Sequence, residues 1–209
     1  MHKATVFRML NTLEALGYVQ KNPKTEQYGL TLKFLTISSA GLSHYNIKQQ
    51  LAPILHKLSE EFGETVHLVE RSENSVIYID KYESEKNSVR MVSHIGMKQN
   101  ITTTAVGKAL LATDSEKDIR LIWDKTEHTA KTPYTITNYR DFLTELNEIR
   151  KKGYAVDNEE NELGVRCVAV AVKDAFGAYK HAVSVSAPIN RMDNKTVEKI
   201  SKRMLELLK

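Results

Sequence analysis

The chain has 209 residues, 41% hydrophobic and 27% charged, a balance that suits one large globular domain or a small one beside a medium one. No apolar run approaches the ~18–20 residues of a membrane-spanning helix, and the N-terminus lacks the apolar stretch of a secretory signal. A single cysteine, Cys167, excludes an intrachain disulfide framework and a thiolate-rich zinc site. A cytoplasmic protein with no cofactor and no metal is expected.

The net charge of +4 is unevenly placed: residues 1–48 hold six Lys/Arg against two acids, and the remaining 161 residues hold 24 of each. Such an excess at one end suits a module that faces a polyanion, joined to an electrically balanced one.

Residues 3–17 have helical spacing, with Val6, Leu10, Leu13 and Leu16 on one stripe and Gly17 as the stop. His2, Lys3, Thr5 and Arg8 lie on the opposite face, where short or basic groups suit phosphates and base edges. Tyr18–Lys21, the turn Asn22–Thr25 and Glu26–Leu30 read as a small hairpin with Lys21 and Lys24 at its basic tip. A helix followed at once by a basic hairpin is the second half of a winged helix-turn-helix. The helix would enter the major groove and the hairpin lysines would meet the backbone. Only Met1 and His2 precede Lys3, so this module is expected to be weakly supported by itself.

Helical stripes follow over residues 31–43 and 46–62, and Pro53 inside the second predicts a kink or a late start. Alternation then predicts strands at 65–71 and 75–82, and a third at 88–93. At Thr102–Ala112 the period turns helical. Its threonines are good N-caps, and the amides near Ala105 and Val106 would be free to hold a carboxylate. Helices at about 115–123 and 138–152, a strand near 153–156 and a final helix over roughly 193–208 complete an α+β pattern with a mainly antiparallel sheet.

Residues 157–186 read as an acidic loop feeding a hairpin. Val168, Val170, Val172, Val183 and Val185 occupy one face; Cys167, Ala169, Ala171, Ala182, Ser184 and Ser186 occupy the other. A two-residue loop at Ala175-Phe176 would set Cys167 opposite Ser184 and Ala169 opposite Ala182. The small face either lines a concavity or sits beneath a close-packed helix. His181 is the histidine at hairpin distance and lies on the opposite face from Ser184, so Cys167 has no base beside it from this hairpin.

Several motifs together resemble the isocitrate lyase regulator (IclR) family of bacterial transcription factors. They are Lys3-Ala4-Thr5-Val6-Phe7-Arg8 with Leu16-Gly17-Tyr18, Thr104-Ala105-Val106-Gly107-Lys108-Ala109, Gly153–Asp157 through Gly164-Val165-Arg166-Cys167, and Ser184–Ile189. Glu64-Thr65-Val66-His67-Leu68 and Asp157-Asn158-Glu159-Glu160 resemble the ketodeoxygluconate-regulator subgroup. The resemblance implies a partial winged helix-turn-helix at 1–30, a linker helix at 31–45 and a GAF-like effector-binding domain at 46–209. It implies a repressor that binds operator DNA as a homodimer or homotetramer. Its effector would be a small organic acid, such as a 2-keto or sugar acid, held by Ala105, Val106, Asp157, Cys167, Ser184 and Ser186, with Met91 and Val165 as apolar walls. The alternatives are a GAF-like sensor without DNA binding and a thiol enzyme in the same fold; fast labelling of Cys167 by iodoacetamide at neutral pH would favour the enzyme.

Overall fold

The computed structural model describes residues 2–43, 46–86, 91–174 and 176–208, in two compact units, Met1–Asn46 and Ile47–Lys209. In the first unit, helix α1 (Lys3–Ala15) leads to a hairpin of β1 (Val19–Lys21) and β2 (Tyr28–Leu30), then helix α2 (Lys33–Ser43). The hairpin turn is closed by the Asn22 side chain, which accepts from the Lys24 and Thr25 amides at 2.9 and 3.1 Å. No residue of α1 is buried, and Val6 and Leu16 on its apolar stripe are exposed. Helix spacing is therefore present in this unit without the core that such a stripe normally fills.

The second unit is built on a six-stranded sheet in the order β5-β4-β3-β8-β7-β6, with each neighbouring pair antiparallel. Its strands are β3 (Thr65–Ser72), β4 (Ser75–Tyr82), β5 (Lys98–Asn100), β6 (Ala155–Asn158), β7 (Val165–Lys173) and β8 (Tyr179–Pro188). Residue-by-residue alternation gives the sheet two different faces. Val66, Leu68, Val168, Val170, Val183 and Val185 pack against helices α3 (Asn46–Phe62) and α7 (Asn194–Leu207) through Leu51, Leu55, Leu58, Val197, Ile200 and Met204. Each such side chain, when fully buried, stabilises the fold by about 1.5–3 kcal/mol. Helix α3 runs through Pro53 and begins at Asn46, so the expected late start does not occur.

On the other face, Val69, Ala155, Ala169 and Ala182 share a core with helices α4 (Ala105–Leu111), α5 (Glu116–Lys125) and α6 (Tyr139–Lys152). Small sheet residues let α4 lie close, and every residue of α4 is buried. Gly107 has no alternative here: a Cβ at this position would stand 2.0 Å from the Ile101 carbonyl oxygen. Helix α6 ends at Gly153, whose φ of +79° is the left-handed cap that glycine adopts without strain.

Two expectations are corrected. Of the third strand expected at 88–93, residues 88–90 lie outside the described residues, and Met91–Ser93 is not strand; β4 pairs instead with Lys98–Asn100. The β7–β8 register is displaced by two residues: Cys167 faces Ser186, Ala169 faces Ser184 and Ala171 faces Ala182. The cause is a longer loop, in which the Asp174 side chain accepts from the Phe176 and Ala178 amides, both at 2.9 Å, with a register shift at Val172/Lys173. Because the displacement is even, each side chain keeps its predicted face.

Candidate functional site

The displaced register sets three of the expected residues abreast. Asp157 on β6 pairs with Cys167 on β7, Cys167 with Ser186 on β8, and Ser186 with Thr65 on β3. One row along, Ser184 lies between Ala169 and His67. The hairpin's small face is thus packed at one end and hollow at the other. Ala169 and Ala182 sit beneath α4, whereas Cys167, Ser184 and Ser186 line a cavity of about 80 Å³. All eight expected residues, Ala105, Val106, Asp157, Cys167, Ser184, Ser186, Met91 and Val165, line this one cavity.

The start of α4 supplies amide donors. Thr104 caps it, taking the Gly107 amide on its hydroxyl at 3.2 Å and the Lys108 amide on its carbonyl at 2.9 Å. Among the described residues the Ala105 and Val106 amides have no acceptor and are left as uncommitted donors. Asp157 is 3% exposed and pins the acidic loop, its Oδ1 accepting from the Glu160 and Asn161 amides at 2.8 and 3.3 Å. Burial raises its carboxyl to about 6, against the pull of Lys108 and those two amides. Behind it the fully buried Lys108 ammonium meets Glu145 at 3.1 Å and Glu160. Burial pulls Lys108 down, but the two carboxylates outweigh it and hold the ammonium charged. Burial lifts Glu160 to about 7 despite Lys108. The two directions pull against each other across one ion pair; the contact geometry favours the charged lysine, which has a carboxylate on either side.

His67 is a site residue that the sequence reading missed. It is 2% exposed, with Nδ1 3.4 and 3.5 Å from the Ser184 and Ser186 hydroxyls and Nε2 2.7 Å from the Ser93 hydroxyl. Burial, with Lys81 second, lowers its pKa to about 3, so the ring is neutral. Its ring meets the Tyr78 ring edge-on at 4.8 Å. His67 comes from β3, a strand far away in sequence, so hairpin alternation gave no sign of it; the Glu64–Leu68 motif was the available signal. Tyr78, Ser93, Gln99, Asn161 and Glu162 also line the cavity. Burial pushes the Cys167 thiol up, and the Asp157 charge adds to this. A half-buried, protonated thiol is an apolar wall.

A larger open cleft of about 740 Å³ lies between α4, α6, β7 and α7, but its floor is Ala109, Val170, Leu205 and Leu208. Its Arg150 is already spent on the Ala112 and Asp114 carbonyls at 2.8 and 2.9 Å. Among the described residues no group of three or more His, Cys, Asp or Glu is placed to hold a metal ion. No helix among them is long and apolar enough to cross a membrane.

The DNA-facing residues expected from the sequence fall on separate elements of the first unit. His2 caps α1 and Lys3, Thr5 and Arg8 lie on it, Thr5 half-buried and the others exposed. Lys21 ends β1 and pairs with Glu26 at 3.2 Å, and Lys24 stands exposed in the turn.

Residues 39–208 match the family described as bacterial transcriptional regulator IclR C-terminal, and residues 1–23 match the IclR helix-turn-helix domain. The HTH-type transcriptional regulator KdgR of Escherichia coli is 36% identical over 95% of this chain and 75% of its own length. The KdgR of Dickeya chrysanthemi is 38% identical over 93% of this chain and 64% of its own length. Among solved structures, the Thermotoga maritima IclR superposes with a TM-score of 0.81 at 36% identity, covering 100% of this chain and 83% of that one. The chain spans only part of the length of these relatives. The match over most of its length is decisive for kinship: the chain belongs to the IclR family of bacterial transcriptional regulators.

Proposed function

We propose that this chain is a cytoplasmic repressor whose second unit binds a small carboxylic acid in the β3/β8/β7/β6 cavity. Occupancy there changes subunit arrangement in a homodimer or homotetramer and so its affinity for operator DNA. In this reading residues 1–30 are part of a winged helix-turn-helix, 31–45 a linker helix and 46–209 the effector domain. The observation that carries it is the convergence of eight residues, from five separate stretches of chain, on one cavity.

The roles follow from the chemistry. The uncommitted Ala105 and Val106 amides take the ligand's carboxylate, since backbone donors at a helix start stabilise an anion. The Ser184 and Ser186 hydroxyls donate to its keto or hydroxyl oxygen, and Asp157 accepts from a ligand hydroxyl. Met91, Val165 and the protonated Cys167 form the walls, and no catalysis is assigned to the thiol. His2, Lys3, Thr5, Arg8, Lys21 and Lys24 are the DNA-facing set.

A thermal-shift panel of pyruvate, glyoxylate and D-gluconate tests the site. An acid at about 100 times its Kd stabilises the native state by about 2.7 kcal/mol. Asp157→Asn and Ser186→Ala are expected to abolish that gain; undiminished shifts in both variants would refute the assignment. For DNA, a low-salt mobility shift on a fragment bearing the operator is expected to weaken when Lys3 and Arg8 are replaced by alanine. Unchanged retardation would remove α1 from the interface.

A further inference from the structure

One wall of the cavity is held differently from the rest. The turn at Gly96 and Met97 is tied to β4 by main chain: the Gly96 amide donates to the Tyr78 carbonyl at 2.8 Å and the Tyr78 amide to the Met97 carbonyl at 3.0 Å. Met91–Ser93, just before it, has no main-chain bond to the sheet among the described residues. Side chains hold it instead. The Lys81 ammonium, on β4, donates to the Met91 carbonyl at 2.8 Å and the Ser93 carbonyl at 2.5 Å, and it pairs with Glu83 at 2.6 Å. His67 meets the Ser93 hydroxyl at 2.7 Å, while the other edge of its ring faces Ser184 and Ser186 within the cavity.

Size gives this attachment a consequence. The space is about 80 Å³, whereas pockets for drug-sized ligands run to roughly 300–1,000 Å³. By the same kind of measure one water occupies about 10–15 Å³, so the space holds only a handful of non-hydrogen atoms. A six-carbon acid is contained within that space only if a wall moves. The sheet strands are fixed by their ladders, and α4 is fixed by the Gly107–Ile101 contact and by Lys108. Among the described residues Met91–Ser93 is the wall whose movement breaks only side-chain bonds, and Val92 at its centre is 89% exposed.

We propose that Lys81 and His67 latch Met91–Ser93 over the cavity and thereby set the length of acid that it admits. The latched form takes acids of about two to four carbons. Longer acids bind at the cost of breaking the Lys81 bonds to Met91 and Ser93 and the His67 bond to Ser93. This rests on the reading of the cavity as the acid site. His67 thereby acts on both sides, since the ring that holds Ser93 also borders the space where the ligand's oxygen would lie.

Calorimetric titration of pyruvate and of D-gluconate into the wild-type protein, Lys81→Met and Ser93→Ala tests the latch. Lys81→Met keeps the bulk of the stem and removes both carbonyl bonds; Ser93→Ala removes the His67 contact and leaves His67 in the cavity. The ratio of the gluconate Kd to the pyruvate Kd is expected to fall by about tenfold or more in Lys81→Met, equivalent to about 1.4 kcal/mol. Ser93→Ala should move it in the same direction by less, and it decides the matter if Lys81→Met does not fold. Ratios within about twofold of wild type in variants that melt like the wild type would overturn the latch. If the wild type binds neither acid, the acid-site reading itself falls, an outcome visible before any variant is made.

Discussion

Asp157 joins the cavity to the stability of the domain. Its carboxyl titrates near 6 in the native state instead of at its ordinary 3.8, because burial disfavours the charge. Between those values the native protein holds a proton that the unfolded chain has released. Its contribution is therefore full below the unfolded pKa and is lost as pH rises through the native one. The difference amounts to about 3 kcal/mol at most, at 1.36 kcal/mol per pH unit. Asn in its place keeps an oxygen for the Glu160 and Asn161 amides and removes the titration. Urea unfolding at pH 4.5 and pH 7.5 is expected to show a smaller loss of stability in Asp157→Asn than in the wild type, by about 2 kcal/mol, since pH 4.5 already lies above the unfolded pKa. An identical loss would mean that Asp157 is already ionised in the native state at the lower pH.

At the scale of elements, α4 is the piece that everything else holds in place. Its Lys108 reaches Glu145 on α6 and Glu160 in the acidic loop, so one buried ammonium ties together the helix, its neighbour and the loop behind Asp157. Lys108→Met is expected to cost about 3–5 kcal/mol, because removing one member of a buried ion group strands the others. Adding Glu160→Gln should restore a large part of that, as no uncompensated carboxylate then remains at Glu160. A single-variant loss below about 1 kcal/mol in urea unfolding would place the triad among weak surface pairs.

The same elements show what could be read from the chain. Alternation in β7 and β8 assigned every residue to its face, and it left open whether the small face was packed or hollow; the ends of the strands divide between the two. Register was not legible, because it depends on the loop, and the Asp174 side chain makes a longer turn than Ala175-Phe176 alone suggests. Met91–Ser93 alternates like a strand but has no strand beside it: the edge of β4 is taken by Lys98–Asn100 and by the Gly96–Met97 turn. His67 was illegible for a different reason. It enters the site through a β3–β8 pairing between residues 117 positions apart, which no local pattern encodes.

At the scale of the whole molecule, the charge asymmetry separates a basic first unit from a balanced second one. The helix-turn-helix match, 1–23, lies within the first unit, and the C-terminal match, 39–208, begins near its end and covers nearly all of the second. In the first unit Val19 is the one buried residue whose exposure is described, so its fold depends on local devices such as the Asn22 turn and the Thr31 hydroxyl on the Gly17 carbonyl at 2.6 Å. The second unit has two full cores and carries the cavity. The most direct test of the account is a crystal structure of the protein grown with pyruvate. Density for the acid is expected between the Ala105 and Val106 amides and the Asp157 and Ser186 side chains, with Cys167 unmodified beside it. Density instead in the open cleft beside Arg150 and Lys173, with the β3/β8/β7/β6 cavity unchanged, would contradict it.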